Sequence, residues 1–391
     1  MRFVLDHAPK GKSYVAELGE EHTALTIAVL KDDAEKEGWI GSRGASDEVF
    51  TLFGVSDNIA LALYDRSVTV RRISAHRLPA ELKRRTRRPE HRQQVLEALA
   101  RLAVTESNSW YQYRPLDANI AAVRANARCL YTIQEKIRKR AEQFLSAAYR
   151  EAYLVDPLRR ELTVEQYTKR SLAENPIFER ISAEEEAWRK KLAASLRGIP
   201  IWEKALKTTR FRGLGPSLAG LIIGETGDMR RMRSRDAYVH YCGAHVVPSR
   251  EYLLAHGIEG ELAQRRAGQP ADWQARLRQA IWKWSFIQVP KMAPQERFAD
   301  DFWCQTYLRF KREELEKRAA RGIPEEGIVI AKPRAADAEE DEDEENGERA
   351  RRGQRWFSPL HCHKRACAKL RTWLVRRIYD EWVALVKAGE M

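Results

Sequence analysis

Over its first 75 or so residues the chain repeats one pattern: short apolar, β-branched runs divided by polar or glycine-containing turns. "RFVLD" (2–6), "SYVAEL" (13–18), "TALTIAVL" (23–30), "EVFTLF" (48–53), "NIALALYD" (58–65) and "SVTVRRI" (67–73) each have the length of a strand. From about residue 80 the apolar positions recur at three- and four-residue steps, the spacing of helices with one buried side. Ile120, Val123, Ala127, Leu130, Gln134, Ile137, Ala141 and Phe144 form a heptad seam with one polar position, Gln134. Asn175-Pro176 opens a further helix, with Ile177, Ile181, Trp188, Leu192 and Leu196 along one side. These two helices predict an antiparallel coiled-coil arm; parallel dimerisation through the seam is the competing arrangement. Leu370, Leu374, Ile378, Trp382 and Leu385 define a last helix, over about 363–387, that docks on a core.

Strands first and helices afterwards predict an α+β protein. The expected parts are a mixed-sheet domain at 1–105, the arm at 106–199 and an all-helical domain at 200–391. A Pro/acid/Gly-rich stretch, 322–355, interrupts the last part and reads as a disordered linker.

Charge sharpens this picture. The net charge is +13, although 335–348 alone carries nine acids and no base, so the remainder is more basic still. Such a body implies a polyanionic partner, most simply nucleic acid. No apolar run approaches the ~20 residues of a membrane span, so no membrane partner is expected. The N-terminus lacks the apolar stretch of a signal peptide. Five scattered cysteines suit reduced thiols and a cytoplasmic location.

The basic residues concentrate in two places. Arg71, Arg72, Arg77, Lys83, Arg84, Arg85, Arg87, Arg88 and Arg92 fall within 22 residues, denser than a solvated helix face requires. Lys207, Arg210 and Arg212 precede Gly213 and Gly215 in "ALKTTRFRGLGP". A Gly-x-Gly-Pro turn at a helix start exposes N–H groups that suit a phosphate, and Arg230 and Arg231 beyond the helix end would hold the next one. A tight packing corner is the other reading. Trp282 and Trp284, interleaved with bases, either stack nucleobases or belong to the core. In "HCHKRAC" (361–367) the spacing favours helix packing or RNA contact over zinc.

Acids offer a possible catalytic centre. Asp6 and Asp65 are expected at strand ends, and Glu90 and Glu97 in or near the following helix. Carboxylates brought together from strand ends and a helix hold two metals in RNase H-like nucleases. Asp6, Asp65 and Glu97, with Glu90 as the alternative helix acid, would bind Mg²⁺ or Mn²⁺. Solvated, unrelated acids are the competing reading.

"FRGLGPSLAGLIIGETGDMRRMRSRDAYVHYCGA" resembles the C-terminal domain of RNA-guided insertion-sequence transposases that carry an N-terminal RuvC-like domain. The shared marks are Gly213, Gly215 and Pro216, then Gly227-Asp228, then Tyr241-Cys242-Gly243. "WQARLRQAIW" and "HKRACAKLRTWLVRRIYDEW" look like that family's later helices. The transposases' Ser-Gly nucleophile has no counterpart in "GAHVVPSREYLLAHGIEGE", where Ser249 is followed by Arg250. The chain is more similar to the Nop-domain proteins of TIGR-Tas systems. That resemblance implies a RuvC-like domain, active or degenerate, at 1–105, and a coiled-coil and Nop-like module that binds guide RNA and dimerises. It implies a guide RNA, a target DNA and a homodimer as partners, Mg²⁺-dependent DNA cleavage as the activity, and a prokaryotic or viral source. A nuclease-dead RNA-binding scaffold and a transposase with an unusual catalytic residue are the alternatives.

Overall fold

A computed structural model describes residues 1–390 except 8–11, 20–23, 53–56, 74–77, 80–81, 83–88, 107–109, 157–160, 263–272 and 331–353. An N-terminal mixed sheet is followed by a mostly helical region, an α+β architecture. The chain forms two compact units. The first holds 1–199, 223–232 and 388–391; the second holds 200–222 and 233–387.

In the first unit, β1 (Arg2–His7), β2 (Ser13–Leu18) and β3 (Ala24–Leu30) form an antiparallel meander. Helix α1 (Asp33–Gly41) leads to β4 (Glu48–Leu52), which runs parallel to β1 with Arg2 opposite Glu48 and Leu5 opposite Thr51. Helix α2 (Asp57–Asp65) crosses over to β5 (Thr69–Ile73), parallel to β4. Helix α3 (Pro89–Thr105) follows, and the short β6 (Tyr111–Gln112) closes the sheet in the order β3-β2-β1-β4-β5-β6. Period-two alternation sends Val4, Ala16, Phe50 and Leu52 to one face, where Val95, Leu96 and Leu99 of α3 cover them. Phe3, Leu5, Val15, Val49 and Val70 point the other way, against Ile59, Ala60 and Leu63 of α2.

One expected strand is a helix. "NIALALYD" is apolar at nearly every position, so its period distinguishes little. Its alanines and leucines favour α2, and the buried set Ile59, Ala60 and Leu63 follows helical spacing. The length of chain needed to join two parallel strands also demands a crossover at this point.

Helix α4 (Pro115–Thr132) continues through a π-helical turn (Ile133–Arg138) into α5 (Lys139–Tyr153). Then come α6 (Val164–Ala173), capped by Thr163, and α7 (Pro176–Leu196), capped by the Asn175 side chain. The first half of the heptad seam is buried, from Ile120 to Leu130. Helix α4 packs on α7 of the same chain, and α5 on α6. The polar seam residue Gln134 donates to Glu185 at 2.9 Å, and Arg138 and Arg189 each reach the same carboxylate at 2.6 Å. Burial opposes that charge, but the hydrogen bonds from Gln134 and Arg138 hold the Glu185 carboxyl below its ordinary range. Farther along, Ile137 and Phe144 are exposed.

Helix α8 (Pro216–Thr226) is followed by a 3₁₀ turn (Met229–Arg231). Residue 224 must be glycine, because a Cβ there would lie 2.6 Å from Cα of Arg124. The contact is fixed by Arg124 Nε donating to the Gly224 carbonyl at 2.6 Å and by Arg128 donating twice to Glu225 at 2.7 and 2.8 Å.

The second unit contains α9 (Arg235–Tyr241), a small ribbon of β7 (Val246–Pro248) and β8 (Gly260–Leu262), and the short α10 (Glu251–Leu254). Helix α11 (Ala275–Trp282) passes through a π-helical stretch (Lys283–Gln288) into α12 (Val289–Met292), and α13 (Phe302–Ala320) follows. The C-terminal helix, Pro359–Lys387, buries Leu370, Leu374, Ile378 and Trp382 and packs on α13, α9 and α11. The span 322–355 is not a linker throughout. β9 (Ile328–Ile330) pairs antiparallel with β10 (Gln354–Trp356), and Ile330 and Trp356 join Leu253 and Ile258 in a small core. Only 331–353, with most of the acids, lies outside the described residues. Among the described residues, no helix is long and apolar enough to cross a membrane.

Candidate functional site

Asp6 stands on β1 on the face covered by α3, and it is fully buried. Arg92, from the first turns of α3, is buried with it and donates from Nη1 to Asp6 Oδ2 at 2.6 Å. Asp6 Oδ1 and Arg92 Nε and Nη2 have no hydrogen-bond partner among the described residues. The expected run of phosphate-binding bases therefore contributes its last member to the inside of the sheet domain.

Of the other expected metal ligands, the described Asp65 and Glu97 are not gathered around Asp6. Asp65 ends α2, on the opposite face of the sheet, and is exposed. The chain turns after it so that Thr69 N donates to the Asp47 carbonyl at 3.1 Å. That bond marks the end of β4 opposite to the end beside Asp6, because Leu5 lies across from Thr51. The strand-end placement of Asp65 is thus corrected: the crossover helix carries it to the far end of the sheet. Glu97 sits on the flank of α3 and accepts from Gln93 Nε2 at 3.2 Å. Glu90 belongs to the first turn of α3, with a side chain outside the described residues. Among the described residues, no group of three or more His, Cys, Asp or Glu side chains is placed to hold a metal ion. Among the described donors Asp6, Asp65 and Glu97, a Mg²⁺ or Mn²⁺ pair does not fit, because the buried Asp6 carboxylate already accepts a guanidinium.

Several bases read as phosphate contacts have internal partners. Arg72 is buried, with its guanidinium 4.7 Å from the centre of the Tyr113 ring. Arg71 and Arg2 both pair with Glu48. Arg77, Lys83, Arg84, Arg85, Arg87 and Arg88 lie outside the described residues. Lys207 pairs with Glu203 one helical turn earlier. Arg210 stays exposed, 3.5 Å from Glu381, and Arg212 lies 3.7 Å from Asp301 with its guanidinium 5.6 Å from the Phe298 ring centre.

The glycine turn is a packing corner. Gly213 has φ +89°, and a Cβ on it would meet Met292 Sδ at 3.2 Å and Trp284 Nε1 at 3.4 Å. The backbone before it is tied down by two indoles. Trp303 Nε1 donates to the Arg210 carbonyl at 2.6 Å, and Trp284 Nε1 to the Arg212 carbonyl at 3.1 Å. Gly215 is exposed at the start of α8 and meets nothing. Trp284 is fully buried, so of the two interleaved tryptophans only Trp282 presents its ring outward. His363, in the His/Cys run, is bonded to the Tyr307 hydroxyl at 2.8 Å, and His361 and Cys362 are buried.

Arg230 and Arg231 serve the chain itself. Arg231 Nε donates at 2.8 Å to the Thr226 carbonyl, one of the bare carbonyls at the end of α8. Arg230 Nε donates to Asp228 at 2.6 Å, and its Nη2 lies 3.9 Å from Asp117. Asp117, in turn, accepts from the Arg114 backbone at 2.7 Å at the start of α4. Sequence reasoning missed this acid pair; its only local signal is the Pro115-x-Asp117 helix start. Burial first, and the neighbouring Asp228 second, push the Asp117 carboxyl up from 3.8 to about 6. A carboxyl raised in the folded state gives its full stabilisation below its unfolded pKa and loses it as pH rises through the folded one. Asp117→Asn mimics the neutral acid. It is expected to match wild type near pH 4 and to exceed it by up to ~3 kcal/mol at pH 8, the cost of ionising a carboxyl raised from 3.8 to about 6. Urea unfolding at the two pH values checks this; an equal difference at both would refute it.

No protein-family model matches the chain, and no curated protein matches it.

Proposed function

We propose that this chain is a guide-RNA-binding, DNA-targeting protein whose RuvC-like sheet domain has become a scaffold without metal-dependent cleavage. The order β3-β2-β1-β4-β5, antiparallel and then parallel, is the arrangement an RNase H-like sheet requires, and it supports the RuvC-like reading. The observation that carries the loss of cleavage is the Asp6–Arg92 pair. In a two-metal nuclease the strand-borne carboxylate faces divalent cations. Here a fixed monovalent cation stands against it, 2.6 Å away and shut from water. The charge of +13 supports a nucleic-acid partner, because it persists despite the acidic segment. Guide RNA, target DNA and a second copy of the chain are the partners of this reading. The missing Ser-Gly argues against a serine recombinase.

The purified protein should carry small structured RNA, with an affinity that falls steeply as salt rises. Loaded with that RNA and given a matching DNA, it should bind without nicking in Mg²⁺ or Mn²⁺. Sequencing the bound RNA and resolving the DNA on a denaturing gel reads both results. Nicks that Asp6→Ala abolishes would overturn the scaffold reading in favour of a metal-dependent nuclease. Nucleic-acid-free protein with salt-insensitive RNA binding would remove the guide RNA.

A further inference from the structure

In the second unit, a cavity of ≈ 750 Å³ opens between α11 with its π-helical continuation and the C-terminal helix. That volume lies in the ~300–1,000 Å³ range of small-ligand sites. Its apolar wall is aromatic. The Trp282 and Phe286 rings stack with centroids 5.0 Å apart and planes 16° apart, and Trp282 is 38% exposed. One turn before Trp282 on the same helix, the Arg278 guanidinium lies 4.4 Å from the centre of the Trp273 ring.

Among the described residues, the charge on the floor has no counter-charge. Arg371 is 3% exposed, on the buried side of the C-terminal helix between Leu370 and Leu374. It has no hydrogen-bond acceptor or acid partner among the described residues, and its Nε is fully shielded from solvent. Burial, and then the like charge of Arg278, push its pKa down to about 10. Lys364, exposed on the same helix, adds a third cation to the lining, and among the described residues no carboxylate belongs to it. Two acids of α13 are taken: Glu314 binds Arg365 and Lys369, and Glu313 binds Lys369. A chain that needed only a packed helix would place leucine or methionine at 371, since a buried cation without an anion is strongly unfavourable. The small side chains of Cys367 and Ala368 leave open the space that Arg371 faces.

Two guanidinium groups beside a stacked aromatic wall match a ligand that is itself half anion and half aromatic plane. We propose that this cavity binds one nucleotide, with Arg371 and Arg278 on its phosphate and its base against Trp282. The proposal rests on the cavity alone and does not depend on guide-RNA binding. The nucleotide is either a free nucleoside monophosphate or the phosphorylated 5′ end of a strand.

Full-length protein, stripped of nucleic acid in high salt, is titrated calorimetrically with AMP, UMP, adenosine, inorganic phosphate, and a tetranucleotide with and without a 5′-phosphate. A phosphorylated nucleotide should bind at least about 10-fold more tightly than adenosine or phosphate alone. Arg371→Met should weaken it about 100-fold, and Trp282→Ala about 10-fold. Arg371→Met should keep or raise the melting temperature, since it removes a buried charge. If that variant does not fold, Trp282→Ala, which changes a partly exposed wall residue, decides the matter. Binding of AMP or UMP identifies a free-nucleotide site; binding of the 5′-phosphorylated tetranucleotide only identifies a strand-end site. No binding of either, equal binding of AMP and adenosine, or binding unchanged in Trp282→Ala overturns the proposal.

Discussion

Arg92→Met is expected to lose about 3–5 kcal/mol of stability, because it leaves the Asp6 carboxylate charged, buried and unpaired. Side-chain exposures of 1% for Arg92 and 0% for Asp6 leave no route by which water replaces the lost partner. Asp6→Val alone should be destabilising for the mirror reason, with a stranded guanidinium. The double variant, Asp6→Val with Arg92→Met, should recover most of the loss, since two apolar side chains then join Val4, Leu52 and Val95. Urea unfolding of the four proteins closes the cycle, and a double variant no better than the worse single one would show that the pair is not the unit of stabilisation. The same proteins probe the chemistry. If Asp6 served a divalent ion, Mg²⁺ would rescue Arg92→Met; no rescue is expected, because no further carboxylate among the described residues completes a ligand set.

Trp284→Ala is the second large effect, expected at about 3–5 kcal/mol for a fully buried indole. Its ring packs edge-on against Trp303 at a centroid distance of 4.9 Å and an angle of 88°, so the cavity would open at the centre of the second unit's core. Trp284→Phe restores most of the volume but leaves the Arg212 carbonyl without its donor, and should fall by about 1–3 kcal/mol. Differential denaturation of the two variants separates packing from the hydrogen bond. If Trp284→Ala left stability within about 0.5 kcal/mol of wild type, the glycine corner would not depend on this indole. Its basic neighbours would then have to be reconsidered as ligand contacts.

The sheet was legible because its strands are rich in Val, Ile, Phe and Leu at alternating positions, and β1, β2 and β3 fall where those runs predict. The polar break in the heptad seam was legible too, although its partner Glu185 was not. What could not be read were pairings made across long stretches of chain. Arg92 is 86 residues from Asp6, and in the sequence it is one more base in a basic run. Arg72 disappears under Tyr113 for the same reason: charge density records how many cations there are, not which face of a strand each occupies. Arg230 and Arg231 looked like ligand contacts because a helix end and a phosphate make complementary demands on arginine; here the helix carbonyls and Asp228 meet them first. Asp65 was misplaced by a segment whose apolar residues suit either period. Arg278 and Arg371 drew no attention as a pair, since they lie 93 positions apart and only the packing of the C-terminal helix on α11 brings them to one cavity.

The β9–β10 ribbon has a consequence for how the molecule tolerates change. Because Ile330 is paired with Gln354, the two ends of the acid-rich stretch are anchored side by side, whatever its length. Doubling such a closed excursion adds only about 0.6 kcal/mol of chain entropy, so residues can be gained or lost there while both neighbouring helices keep their seats. The position is thus a permissive graft point, suited to carrying an affinity tag or a fluorescent module without disturbing either compact unit.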